Sequence, residues 1–216
     1  MAFSTIMRIL RANHVTVVGS APLSAEEHLH IEHAGKLVCV NGSISSTSRI
    51  PDVWVLNSHH YDSARYMDPL AWSEERKALH EAMMQQSRGR SVRHVLFLLK
   101  DDSPEQTILR LREQGVTWRA YTALNPGQKL DVVTRAGVKT FSTALNISAG
   151  LFGLCLALNS GAAHVNLVGF SFGNDYAYLS SVPPDTRKHI SQDQVALSDL
   201  AANHGSRFSL TASLAG

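Results

Sequence analysis

His189 and Asp193 lie four positions apart behind a loop that carries Tyr176 and Tyr178. An imidazole that titrates near neutral pH suits a general base, and a nearby carboxylate could orient it. Tyrosine hydroxyls can donate to a departing phosphate. A surface histidine at a helix start and ordinary loop aromatics would account for the same residues. Upstream, small residues stand at two strand ends, Val17-Val18-Gly19-Ser20-Ala21-Pro22 early in the chain and Val168-Gly169-Phe170-Ser171-Phe172 late in it. Small residues let the backbone approach a phosphate or ribose, and a following helix N-terminus offers free N–H groups. A tight structural turn explains Gly19 to Pro22 equally well.

Three further groups share that chemistry. Asn41-Gly42 and Asn57 close two apolar runs, at the sheet edge where open α/β folds bind ligands. A side-chain amide reads sugar hydroxyls or a carboxylate, although each could instead close its own Asx-turn. In Asn146-Ile147-Ser148-Ala149-Gly150, three small residues open an apolar helix. Their amides, the hydroxyl and the helix dipole make a place for an anion, and close helix–sheet packing is the competing account.

Other chemistries lack their residues. The chain has no Gly-x-Gly-x-x-Gly, no P-loop and no Asp-x-Asp, and although Gly169-Phe170-Ser171-Phe172-Gly173 has the Gly-x-Ser-x-Gly spacing, its flanking residues and order do not suit a hydrolase elbow. His28, His30 and His33 are close in sequence, but no His or Cys group has zinc spacing, so no metal site is expected.

Alternating elements must position these residues. Strands are expected over His14–Val18, Lys36–Val40, Val53–Leu56, Val95–Leu99, Val116–Tyr121, Val165–Val168 and Phe208–Thr211. Ser24 and Glu27 have capping-box spacing for a helix after the first strand. Further helices are expected over Glu74–Gln86, Pro104–Gln114 with Ser103 as N-cap, Ile147–Asn159, and Gln192–Asn203 with Ser191 as N-cap. Thr122 to Thr143 reads as irregular and cleft-lining. Gly173 to Arg187, with Pro183-Pro184, reads as a mobile loop. The pattern predicts a mostly parallel sheet covered by helices, one domain over residues 1–216 with a lid at about 173–188.

Composition narrows the partners. A hydrophobic fraction of 44% supports a sizeable core. A net charge of +2 without a dense basic stripe argues against nucleic acid and leaves a small anionic ligand compatible. Cys39 and Cys155 sit inside apolar runs and read as buried thiols in a reducing, cytoplasmic setting. No apolar run reaches the ~18 residues of a membrane span. A peripheral role at the inner face of the membrane fits if the acceptor is lipid-linked.

Taken in order, the pieces resemble the bacterial sialyltransferase-type glycosyltransferases. That family has Gly-Asn-Gly-Pro-Ser after its first strand, matched by Gly19-Ser20-Ala21-Pro22, then Arg-x-Asn, matched by Cys39-Val40-Asn41, and a polar strand end, matched by Asn57. A Ser/Thr-Ser-Gly element is matched by Ser148-Ala149-Gly150, and a Gly-apolar-Asp/Ser-Phe strand exit by Gly169-Phe170-Ser171-Phe172. Tyr176, Tyr178, His189 and Asp193 complete the pattern over residues 14–212. Ala21 replaces a glycine, Asn146 stands where arginine is common, and the His-to-acid spacing is one residue shorter than usual.

The resemblance implies a Rossmann-like fold of GT-A-like variant with a mobile lid. It implies a CMP-activated acidic sugar, of sialic acid or Kdo type, as donor substrate with no separate cofactor. A glycan or glycolipid would be the acceptor, and the reaction would be inverting and metal-independent. His189 would be the base, with Tyr176 and Tyr178 on the leaving phosphate. The alternative is a nucleotide-binding α/β protein without glycosyl transfer, such as a pterin pyrophosphokinase-like enzyme or a degenerate binding module.

Overall fold

The computed structural model describes residues 2–58, 74–100, 104–170 and 189–211. Within them lies one seven-stranded sheet. Its strands are β1 (His14–Val18), β2 (Lys36–Val40), β3 (Val53–Asn57), β4 (Ser91–Leu98), β5 (Thr117–Leu124), β6 (His164–Val168) and β7 (Phe208–Leu210). They run in the order β5-β4-β3-β2-β1-β6-β7, every pair parallel. This is the helix-covered, Rossmann-like α/β architecture that alternating strands and helices predict.

The near-continuous apolar strands are explained by burial of both sheet faces. Val15, Val17, Val38, Val40, Val53, Val55, Leu96 and Leu98 point into one core. Helices α1 (Ala2–Leu10), α5 (Pro126–Arg135), α7 (Ala149–Asn159) and α8 (Ile190–His204) bring Ile6, Leu10, Val132, Val133, Phe152, Ala196 and Leu200 to it. Val18, Leu37, Cys39, Trp54, Leu56, Val95 and Phe97 point the other way. They meet Ile31, Met84, Ile108 and Leu111 of α2 (Ala25–Glu32), α3 (Glu74–Ser87) and α4 (Glu105–Glu113). At about 1.5–3 kcal/mol for each large apolar side chain removed from water, these two layers dominate the favourable side of folding.

Helix α7 is buried on all sides from Ala149 to Leu158, as a helix without a polar face must be. Gly153 lets it lie against the sheet, since a Cβ there would come within 2.8 Å of Val17 Cγ1. Arg207 secures its C-terminal end by donating to the carbonyl of Leu158 in the last turn and to that of Ala162 in the turn that follows.

Several boundaries differ from the sequence reading. Residues 122–143 are regular: β5 continues to Leu124, and α5 and α6 (Phe141–Asn146) follow. Asn125 and Gln128 form a capping box around Pro126 in the first turn, which stabilises a helix where Pro and Gly suggest a loop. Helix α7 begins at Ala149, because Ile147 is extended and Ser148 is the N-cap. Helix α8 begins at Ile190 with His189 at the N-cap position; Ser191 lies inside it, bonded to Gln192. Pro104 occupies the N-cap position of α4, and Ser103 lies outside the described residues. Strand β4 starts at Ser91, earlier than expected. Helix α1 was not anticipated.

Candidate functional site

The strand order reverses at β1. Strands β2 to β5 extend to one side, while β6 and β7 lie on the other. The carboxyl ends of β1 and β6 therefore flank a topological switch point, the usual ligand crevice of an open α/β sheet. The two glycine-bearing ends found in the sequence are the exits of these two strands.

They touch each other. Gly19 N–H donates to the Val168 carbonyl at 2.8 Å, and Ala21 N–H to the Gly169 carbonyl at 2.9 Å. A Cβ on Gly19 would strike the Gly169 carbonyl oxygen, and Gly169 sits at φ +66. Both positions thus need glycine for backbone reasons. Ser20 is half-buried, Ala21 buried and Pro22 exposed. The capping box expected from Ser24 and Glu27 is present. Glu27 does more: one carboxylate oxygen accepts from Ser24 N–H at 2.8 Å, and the other accepts from Gly169 N–H at 2.7 Å.

Asn41 and Asn57 also meet. Asn41 adopts φ +45 at the start of a short 3-10 helix over Asn41–Ser46. Its Oδ1 accepts from the Asn57 backbone N–H at 3.1 Å, so it bridges two strand ends rather than closing an Asx-turn. Trp54 Nε1 donates to the Asn41 carbonyl at 2.8 Å, and Gly42 is buried beside it. Ser43 ties this exit to its neighbour by donating to the Val18 carbonyl at 2.7 Å.

The mouth of α7 forms the facing part of the edge. Ser148 Oγ accepts from Leu151 N–H, and the first turn leaves the amides of Ala149 and Gly150 without an intrahelical acceptor. The Phe170 ring packs against both glycine positions: a Cβ on Gly150 would lie 2.7 Å from its Cε1, and one on Gly19 3.0 Å from its Cδ2. Ser148 N–H donates to Asp193 Oδ1 at 2.9 Å, which anchors the first turn of α8 here. His189, exposed at the entry of α8, accepts the Asp193 backbone N–H through its carbonyl. Asn146 is exposed and donates to the Ser142 carbonyl within α6.

Sequence reasoning missed three residues. Lys129 of α5 donates to the Ile147 carbonyl at 3.4 Å. Burial pulls its ammonium below the usual lysine range, and the Asp193 carboxylate opposes that shift. Ser43 and the second contact of Glu27 are the other two. No local signal marks them, because their partners are brought in by the fold. Ser171, Phe172, Tyr176, Tyr178 and the segment 173–188 lie outside the described residues.

Cys39 and Cys155 are buried and free, and burial pushes both thiols up to about 12. Among the described residues, no group of three or more His, Cys, Asp or Glu side chains could hold a metal ion. No helix among them is long and apolar enough to cross a membrane.

No family model matches the chain, and no curated protein does either. Solved structures do. The chain is similar to the monofunctional alpha-2,3-sialyltransferase Cst-I from Campylobacter jejuni, at 8% identity and a TM-score of 0.55, over 94% of this chain and 77% of that one. It is also similar to a variant of the sialyltransferase Cst-II in complex with CMP, at 10% identity and a TM-score of 0.51, over 92% of this chain and 80% of that one. At such identities the likeness is one of fold: the chain folds as these sialyltransferases do.

Proposed function

We propose that this chain is a metal-independent, inverting glycosyltransferase that moves an acidic sugar from a CMP-activated donor to a hydroxyl of a glycan or glycolipid. The observation that carries the reading is the switch-point edge. There, Gly19, Asn41, Asn57, Gly169 and Phe170 converge in a fold shared with a sialyltransferase solved with CMP. The entry of α8, with exposed His189, is anchored to the same edge through Asp193 and Ser148.

In the proposed step the His189 imidazole takes the proton of the acceptor hydroxyl. The acceptor oxygen forms a bond to the anomeric carbon from the face opposite CMP. The bond from that carbon to the phosphate oxygen breaks, and CMP leaves with the electron pair. Tyr176 and Tyr178 would donate hydrogen bonds to the leaving phosphate, where negative charge develops. The sequence supports a metal-free step, since it offers no Asp-x-Asp. The donor sugar is of sialic acid or Kdo type, and a lipid-linked acceptor would bring the protein to the inner face of the membrane.

Calorimetric titration with CMP, GMP, AMP and ATP, with and without EDTA, tests the donor. CMP-selective, EDTA-insensitive binding is expected; a flat CMP response would discard the donor assignment. His189→Ala is expected to keep CMP binding and to lose transfer. Retained turnover in that variant would remove His189 as the base.

One observation favours the second reading, a nucleotide-binding or degenerate module. The amides of Gly19, Ala21 and Gly169 are already spent inside the protein. A dependence on magnesium and ATP, or no nucleotide binding at all, is the outcome that this reading requires.

A further inference from the structure

In dinucleotide-binding α/β folds the pyrophosphate sits at the N-terminus of the helix after β1, held by backbone amides and the helix dipole. In this chain that helix is α2, and a negative group of the protein already lies at its mouth. Glu27 is fully buried, at 0% exposure. Its carboxylate accepts the N–H of Ser24, the N-cap of α2, and the N–H of Gly169, the exit of β6. The capping box alone requires only the first of these bonds. The second crosses the crevice, and it takes the amide that β6 would otherwise turn toward a ligand. Gly19 and Ala21 amides are spent on Val168 and Gly169. A second anion at this mouth would meet like charge and occupied donors, and like charges brought together repel.

We propose that Glu27 is a specificity-determining residue: its carboxylate, pinned between the Ser24 and Gly169 amides, holds the mouth of α2 against pyrophosphate-bearing ligands, so that the crevice takes a nucleoside monophosphate or its ester. This rests on the nucleotide-site reading above and goes further by assigning the exclusion to one side chain. It separates a donor carrying one phosphate from nucleoside di- and triphosphates.

The test uses the full chain, with CMP, CDP and inorganic pyrophosphate as probes, and thermal shift and calorimetry as readouts. Wild type is expected to bind CMP at least about tenfold tighter than CDP, a gap of 1.4 kcal/mol, and to show no saturable response to pyrophosphate. Glu27→Gln keeps the shape but offers a single acceptor to two N–H groups, and it should narrow the CMP-to-CDP ratio. Glu27→Ala should gain saturable stabilisation by pyrophosphate, because the vacated amides become available. An unchanged ratio in folded Glu27→Gln overturns the proposal, as does pyrophosphate binding to wild type as tight as its CMP binding. The wild-type pyrophosphate arm decides even where neither variant folds. A wild type that ignores CMP defeats the donor reading instead, and the pyrophosphate contrast between wild type and Glu27→Ala still judges Glu27.

Discussion

At the mouth of α2, strand exits meet groups of the protein itself: Gly19 and Ala21 amides bond to the β6 exit, and Glu27 closes the remaining gap. At the mouth of α7, side chains from three other elements converge around a turn whose first amides have no intrahelical acceptor. Phe170 packs on Gly150, Asp193 holds Ser148, and Lys129 reaches Ile147. In sequence the two mouths look alike, since each is a cluster of small residues opening a helix. In the fold, the first uses glycine to let two backbones touch. The second uses it to admit an aromatic ring. A small residue at a strand exit therefore signals close approach without saying whether the approaching group is a ligand, a ring or the protein's own backbone.

Substitution with alanine should separate these uses. The largest effect is expected for Gly19→Ala, whose Cβ would strike the Gly169 carbonyl. Backbone cannot rotate away, so a loss of about 3 kcal/mol in urea unfolding is expected. Gly150→Ala clashes with the Phe170 ring, a half-buried side chain that can turn, and touches Ser148 Oγ at an ordinary contact distance, so about 1 kcal/mol is expected. Equal losses at the two sites would erase the distinction drawn here.

The smallest effect is kinetic. Cys39 belongs to the core on the α2 side, and Cys155 lies within α7. Burial pushes each thiol from an ordinary 9.0 to about 12, so each favours the folded state below pH 9 and that contribution fades as pH rises toward 12. Between pH 7 and 9 both stay protonated, and labelling must wait for opening. Peptide mapping after alkylation should give one common rate. A faster Cys39 would mean that the α2 side opens independently; a faster Cys155 would mean the same of the α7 side.

Much of the fold could be read from local pattern. The apolar runs of β1, β2, β3 and β6 stand out because both sheet faces bury them, and Ser24 with Glu27 announces α2. Helix α5 was obscured because Pro126 and Gly127 resemble a turn, although Asn125 and Gln128 carry its start signal. At the site, strand ends locate Asn41 and Asn57, but not that one side chain bonds the other's backbone. The Glu27 bond to Gly169 spans 142 positions in sequence, and no local rule reaches so far. Asp193 stands near His189 in sequence, but that nearness does not announce that its side chain also accepts the N–H of Ser148, the N-cap of α7.

The pairing of β1 with β6 bears on how the molecule is made. Strands β2 to β5 can add outward from β1 as they leave the ribosome, each beside its predecessor. The other flank of β1 must wait for β6, and such distant pairings carry the slowest closure. Until then Val15 and Val17 border an open, apolar strand edge, the kind of surface on which unfinished chains associate. The edge between the two exits is thus assembled late, and a chain interrupted before His164 would carry most of its sheet without the β6 exit to which Gly19 and Ala21 bond.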